Sequence, residues 1–277
     1  MIKITAAEVN NLRKITGAGM MDCKKALQES EGDVEKAIDI LRKKGQKVAS
    51  KRADKEAKEG VVIALANEDN SFAAVVMVNC ETDFVAKNED FVSFVRSIAQ
   101  KAIDEKPKSI DELKALDLNG RTVEENLSDQ LGKIGEKIEI GGYEFIDAPA
   151  SVAYIHMGNK LATIVGLNMN DIEDAANIGK DIAMQVAAMN PVALDKESVP
   201  QEVIDKEIEI GKDQARQEGK PEEMLEKISM GKLNKFFKEN TLLNQEFIKA
   251  SKTPVRDYLK GKHPELTVTE FKRLMLG

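Results

Sequence analysis

Residues 72–79 read Phe72-Ala73-Ala74-Val75-Val76-Met77-Val78-Asn79, and residues 161–168 read Leu161-Ala162-Thr163-Ile164-Val165-Gly166-Leu167-Asn168. Both runs are apolar and rich in β-branched residues, which suits a strand. Each closes a hairpin. Val61 to Ala66 precedes the first across Asn67-Glu68-Asp69-Asn70-Ser71, and Val152 to Met157 precedes the second across a Gly158-Asn159 turn. An amphipathic helix follows each hairpin. The first starts at Asn88 with Phe91, Phe94, Val95, Ile98, Ala99 and Ala102 on one stripe, and the second runs from about Asp171 to Ala188.

The two hairpin-helix units align without gaps from Ala73–Asn79 to Ala162–Asn168, matching in character everywhere except Met77 against Gly166. Strand residues correspond at a spacing of 89 (Ala73 to Ala162), whereas Ile98-Ala99 corresponds to Ile182-Ala183 at a spacing of 84. The first unit therefore carries five extra residues between strand and helix, and they fall on Glu81 to Ala86. Duplication and a shared structural grammar account for the likeness equally well. The extra residues stand in either case.

Before the first hairpin the chain reads as three short helices. Thr5 with Glu8 forms a capping box, Val9, Leu12 and Ile15 follow at near-helical spacing, and Thr16-Gly17-Ala18-Gly19 breaks the helix. A second helix covers about Met20 to Glu29. Gly32-Asp33 opens a third, with Val34, Ala37, Ile38 and Leu41 on one face and Gly45 as its stop. Between the hairpins, Ile110 to Leu116 and Val123 to Ile134 read as helices, and Lys137 to Asp147 as a strand pair around Gly141-Gly142. Later, Gln201 to Gln217 and Glu222 to Phe237 flank the turn Gly219-Lys220-Pro221, as in an antiparallel helical hairpin. Its apolar positions are sparse, so it is expected to protrude. The class is α+β. The segments are a bundle over 1–45, a helical linker over 46–59, a first core subdomain over 60–148, and a second over 149–277 that includes the hairpin 201–237 and a C-terminal segment.

With 277 residues, 42% of them hydrophobic and 32% charged, the chain is long enough for two or three units with a soluble surface. No apolar run approaches the ~20 residues of a membrane span, and Met1 to Thr5 leads into a polar helical pattern without a signal-peptide core. A cytoplasmic protein with no membrane attachment is expected. The net charge of −7 opposes affinity built on phosphate neutralisation. Lys47, Lys51, Arg52, Lys55 and Lys58 alternate with Asp54, Glu56 and Glu59, which favours a solvated helix over a nucleic-acid stripe. No direct nucleic-acid partner is expected.

Catalytic and metal chemistry find little footing. Gly17-Ala18-Gly19 lacks the third glycine of a dinucleotide turn, and Gly132-Lys133 is followed by Ile134, not by the Ser or Thr of a phosphate loop. Only His156 and His263 are available as imidazoles, without a zinc or calcium spacing. Cys23 and Cys80 read as buried cytosolic thiols. The expectation is no catalytic residue, no metal and no cofactor. What remains is Thr82-Asp83-Phe84-Val85, two bulky apolar residues beside a charge. Pattern alone favours a helix cap with a staple into the core over an exposed binding segment.

Two longer motifs bear on that choice. Thr16-Gly17-Ala18-Gly19-Met20-Met21-Asp22-Cys23-Lys24-Lys25-Ala26-Leu27 with Gly32-Asp33, and Asn79-Cys80-Glu81-Thr82-Asp83-Phe84-Val85-Ala86-Lys87, resemble the two signatures of bacterial elongation factor Ts. His156, Ile182-Ala183-Met184, Gly219-Lys220-Pro221 and Asn244-Gln245-Glu246-Phe247 fall in the family's order. The resemblance spans essentially the whole chain. It implies a ubiquitin-associated-like bundle, a core of two related antiparallel-sheet-plus-helix subdomains, and a projecting helical hairpin. It implies a guanine nucleotide exchange factor, without chemical catalysis, for elongation factor Tu in its GDP-bound and nucleotide-free states. A homodimer or a 2:2 complex fits this as well. By motif, Thr82, Asp83, Phe84 and Val85 would disturb the partner's Mg²⁺ and phosphate site, Arg13, Met20 and Met21 would dock the bundle, and His156 would serve the second subdomain's contact. Gln185, where many members carry histidine, and Pro254 depart from the family pattern. The rival function is an adaptor acting through the bundle. A nucleic-acid chaperone and an unrecognised carboxylate enzyme rank below it.

Overall fold

A computed structural model describes residues 4–277, with the side chains of residues 46 and 49 outside the description. The elements begin with α1 (Ala6–Thr16), α2 (Met20–Glu29), α3 (Val34–Arg52), β1 (Glu59–Ala66), β2 (Phe72–Cys80) and the single turn α4 (Asp83–Ala86). Next come α5 (Glu89–Glu105), α6 (Ile110–Ala115), α7 (Val123–Ile134), β3 (Glu139–Asp147), β4 (Ala150–Ile155) and β5 (Leu161–Leu167). The chain closes with α8 (Ala175–Met189), α9 (Gln201–Gln217), α10 (Glu222–Asn240), α11 (Val255–Lys262) and β6 (Val268–Met275). The strands form two three-stranded sheets, ordered β1-β2-β3 and β4-β5-β6. The α+β class expected from the sequence holds. The chain divides into two units, one holding the described residues of Met1–Ile63, Val76–Tyr143 and Met275–Gly277, the other Ala64–Val75 and Glu144–Leu274.

In the first unit, the Thr5 hydroxyl accepts from the Glu8 N–H at 3.3 Å while the Glu8 carboxylate accepts from the Thr5 N–H at 2.7 Å. This reciprocal cap satisfies N–H groups that the first turn leaves orphaned. Helix α1 ends where Gly17 turns left-handed at φ 65° and donates to the Arg13 carbonyl at 2.8 Å. The bundle core is Val9, Leu12, Cys23, Ala26, Leu27 and Ala37. Ile15 is not in it: 57% of its surface is exposed, so the apolar stripe of α1 stops one turn earlier than its spacing suggests. Helix α5 buries Phe91, Val95, Ile98, Ala99, Ala102 and Ile103.

Two glycines read from sequence as chain breaks do something else. Helix α3 runs through Gly45 to Arg52, because Gly45 lies where α3 meets α7. A Cβ there would stand 3.4 Å from the Ser128 carbonyl oxygen, and one on Gly132 would stand 3.3 Å from the Gly45 Cα. The strand pair expected around Gly141-Gly142 is one continuous strand, β3, beside β2. A Cβ on Gly141 would fall 1.8 Å from the Asn79 Oδ1 and 3.2 Å from the Met77 Cε. Both glycines admit a close neighbour instead of reversing the chain.

In the second unit, β4 and β5 pair antiparallel with Ala150 opposite Leu167 and Ile155 opposite Ala162. Strand β6, which the sequence reading missed, completes the sheet beyond β5; only Val268 along it is fully buried, so its apolar signal is weak. A Cβ on Gly166 of β5 would lie 2.7 Å from the Thr269 Oγ1 of β6. The same place would also be crowded by the Ile146 Cγ2 at 2.9 Å and the Ala148 Cβ at 3.0 Å, so Gly166 gives way to three side chains. Helix α8 starts at Ala175, later than expected, because Asp174 takes φ 66°. It rests on the sheet through Gly179, whose Cβ would sit 2.4 Å from the Val152 Cγ2. Its Ala183 carbonyl accepts from the Thr163 hydroxyl at 2.9 Å.

Gln185, the departure from the family pattern, is fully buried. Its amide N–H groups reach the Gln245 Oε1 at 3.1 Å and the Glu246 carbonyl at 3.2 Å, and its Oε1 accepts from the Ile248 N–H at 2.8 Å. It is a structural amide that holds the segment after α10. Pro254, the other departure, stands directly before α11 at φ −59°, as Pro200 does before α9 and Pro221 before α10, so each proline's fixed φ feeds a helix start. Helices α9 and α10 pack on each other where Gly211 meets Ser229, and a Cβ on Gly211 would lie 3.1 Å from the Ser229 Cα.

The hairpin glycines separate two effects. Gly211→Val is expected to lower stability by about 1–3 kcal/mol through overpacking. Gly231→Ala, in open space within α10, is expected to raise it by up to about 1 kcal/mol through helix propensity. Urea unfolding of the two variants checks both signs. Cys23 and Cys80 are both buried, and burial, reinforced by the nearby Glu136 carboxylate, pushes the Cys80 thiol up to about 11. Iodoacetamide at pH 8 is therefore expected to label Cys80 only as the chain unfolds, with rapid labelling of the native protein as the contrary result.

Candidate functional site

Eight residues, 81–88, separate β2 from α5, against seven, 168–174, between β5 and α8, so the five-residue offset in the sequence is shared between the strand end, the connection and the helix start. Strand β2 ends at Cys80, and α5 begins under its own cap, with the Asn88 Oδ1 accepting from the Asp90 N–H at 2.8 Å. The residues between cannot continue either element. They close a single turn, in which the Ala86 N–H reaches the Thr82 carbonyl at 3.2 Å and the Lys87 N–H reaches the Asp83 carbonyl at 3.0 Å.

Thr82 stands at the cap position of α4 but does not cap it. Its hydroxyl donates to the Glu136 Oε1 at 2.7 Å, while the Glu136 Oε2 accepts from the backbone N–H of Glu81 at 3.1 Å and of Thr82 at 3.0 Å. The exchange is reciprocal. The Glu81 carboxylate accepts from the Lys137 N–H at 2.6 Å and from the Arg52 guanidinium at 2.6 Å. These two donors, the Lys137 amide first, hold the Glu81 carboxyl below its ordinary range against the opposing effect of burial. The Cys80 thiol donates to the Thr82 carbonyl at 3.2 Å, so the N–H and the carbonyl of Thr82 are both held.

On this support the apex of the turn faces solvent. Phe84 is 84% exposed and Val85 half-buried, which removes the reading of a staple into the core. The Asp83 carboxylate pairs with the Lys87 ammonium at 2.6 Å. Phe84, Val85, Phe91, Lys133, Ile134 and Glu136 border a shallow groove beside it. The turn presents a large apolar ring next to a carboxylate. Among the described residues no cluster of three or more His, Cys, Asp or Glu is placed to hold a metal, and no helix is long and apolar enough to cross a membrane.

The bundle residues singled out from the sequence lie in the same unit. Arg13 is exposed in the last turn of α1. Met20 and Met21, also exposed, border a groove with Ile4, Thr5, Val9 and Lys24. Lys133 packs its chain 3.2 Å from where a Cβ on Gly17 of the bundle would be and also lines the groove beside Phe84. His156 belongs to the second unit. It is the first residue after β4, its N–H donates to the Leu161 carbonyl at 2.8 Å, and its Nδ1 lies 3.0 Å from the Tyr154 hydroxyl. The neighbouring Met157 is 91% exposed and carries no sequence signal beyond the turn itself. Glu136 was also missed. It follows the left-handed Gly135 at the end of α7, and in sequence it is one acidic residue among many.

The family model for Elongation factor TS matches residues 81–277, beginning at the Glu81 of this support. Over 277 residues the chain is 54% identical to Elongation factor Ts of Christiangramia forsetii, covering 100% of both chains. It is 52% identical over 278 residues to Elongation factor Ts of Cytophaga hutchinsonii, again across 100% of both. With Elongation factor Ts of Porphyromonas gingivalis it shares 50% over 275 residues, 99% of this chain and 98% of the relative. Similarity of this extent, end to end and across both sheets, means that the chain belongs to the elongation factor Ts family of translation factors.

Proposed function

We propose that this chain is the guanine nucleotide exchange factor for elongation factor Tu, acting on its GDP-bound form and holding its nucleotide-free form until GTP binds. The observation that carries the reading is an apolar ring, Phe84, almost fully exposed on a turn that is anchored at its N-terminal end through Thr82. A lone exposed apolar side chain is common on protein surfaces; Phe84 stands out because it is presented on a held turn and borders a groove with Val85, Phe91 and Ile134. The factor performs no chemistry of its own and works in the cytoplasm.

The mechanism is a difference in binding. A nucleotide leaves faster only if the factor binds the empty partner more tightly than the loaded one, and linkage makes the weakening mutual. Burying Phe84 in a gap present only in the empty partner stabilises that state by about 1.5–3 kcal/mol, or roughly tenfold to a hundredfold. Asp83 brings a carboxylate to the same place, where it competes for the surroundings of the partner's Mg²⁺ and repels phosphate. Val85 and Thr82 complete the wedge. Arg13, Met20 and Met21 supply a second attachment through the bundle, and His156 a third through the β4–β5 turn.

Release of labelled GDP from elongation factor Tu tests this. The wild type is expected to accelerate release, Phe84→Ala to reduce the acceleration about tenfold or more, and Asp83→Ala to reduce it as well. Met20→Ala with Met21→Ala is expected to raise the half-saturating concentration and leave the maximal rate nearly unchanged. No acceleration by the wild type sinks the exchange reading. Full acceleration by both wedge variants removes the wedge from the mechanism and leaves the exchange function in place, with the exposed Met20 and Met21 of the bundle as the remaining attachment.

A further inference from the structure

The geometry points to Glu136 as the positioning residue of the exchange reaction, the group that keeps the Thr82–Val85 turn in its inserting conformation without touching the partner's nucleotide. This rests on the wedge reading of that turn. A four-residue helix is too short to hold itself, because one turn fixes more dihedral angles than its hydrogen bonds compensate. Of the described groups around it, the Glu136 carboxylate takes three donors from two consecutive residues, the N–H groups of Glu81 and Thr82 and the Thr82 hydroxyl, at 2.7–3.1 Å. A carboxylate is acceptor-only and offers about four lone-pair sites, so it satisfies all three at once.

The clasp also determines where the turn sits. Glu136 follows the last turn of α7, which packs against α3. The Glu81 carboxylate returns the exchange to the Lys137 N–H and to Arg52, the last residue of α3. Two carboxylates therefore tie the turn to the ends of two helices that are themselves in contact. With the clasp open, the turn samples other conformations, and only the fraction still in the inserting form acts. Attachment through the bundle and the β4–β5 turn does not depend on Glu136. The loss accordingly appears in the maximal rate of nucleotide release and not in the half-saturating concentration.

A glutamine at 136 keeps the hydrogen bonds. Its one oxygen accepts the two N–H groups, and its amide N–H donates to the Thr82 hydroxyl, which reverses role. The full-length chain is compared as wild type, Glu136→Ala and Glu136→Gln, by labelled GDP release from elongation factor Tu, amide hydrogen exchange over 81–87, and thermal unfolding. Glu136→Ala is expected to lower the maximal release rate about tenfold, equivalent to about 1.4 kcal/mol. Its Glu81 and Thr82 amides are expected to exchange at least about tenfold faster, with exchange in α5 unchanged. Glu136→Gln is expected to stay within about threefold of wild type in both assays. Failure of Glu136→Gln to match wild type while it folds normally overturns positioning in favour of a charge effect. Lost release with unchanged amide exchange in Glu136→Ala also overturns it, in favour of direct contact with the partner. If the wild type itself does not accelerate release, the exchange reading fails, and the positioning role falls with it. Amide exchange then decides only whether the clasp exists.

Discussion

Two carboxylates exchanging backbone hydrogen bonds, Glu81 with Lys137 and Glu136 with Glu81 and Thr82, set the geometry on which the exposed turn depends. Glu136 supplies acceptors for the Glu81 and Thr82 N–H groups, which follow the end of β2 and precede the hydrogen bonds of α4, and Glu81 supplies one for the Lys137 N–H beyond α7. With them Phe84 is carried outward on a short turn held at its N-terminal end.

The scaffold around the turn is assembled twice by the same means. Each sheet has a hairpin with a third strand added beside its second, and a helix follows each hairpin in the chain, α5 in one case and α8 in the other. The packing between the second and third strands is complementary in the two sheets, with a large residue facing a small one. Met77 faces Gly141 in the first sheet, and Thr269 faces Gly166 in the second. Volume conservation across a contact is what a packed interior requires, and it does not require that the large residue stay on the same strand.

The departures from the family pattern also resolve into structure. Gln185 spends both kinds of amide hydrogen bond inside the second unit and leaves none for a partner or a proton. Pro254 occupies the position before a helix, where its missing N–H costs nothing. Neither bears on the exposed turn.

Much of this protein was legible from local pattern. Capping boxes, amphipathic stripes and turn residues act over three or four positions, so Thr5 with Glu8, the Asn88 start of α5, both hairpins and the α9–α10 pair could be read directly. The signature around Phe84 gave its family, while the five-residue offset between the two units is spread over strand end, connection and helix start. Local pattern failed at Gly45 and Gly141, which look like breaks but are points of close approach. It failed at Ile15 and Phe84, whose spacing reads as core and whose side chains face water. It was silent on Glu136, which meets Thr82 across 54 positions. Those outcomes depend on which segments the tertiary fold brings together, and a hydrogen bond or close contact between distant segments leaves no periodicity in either of them.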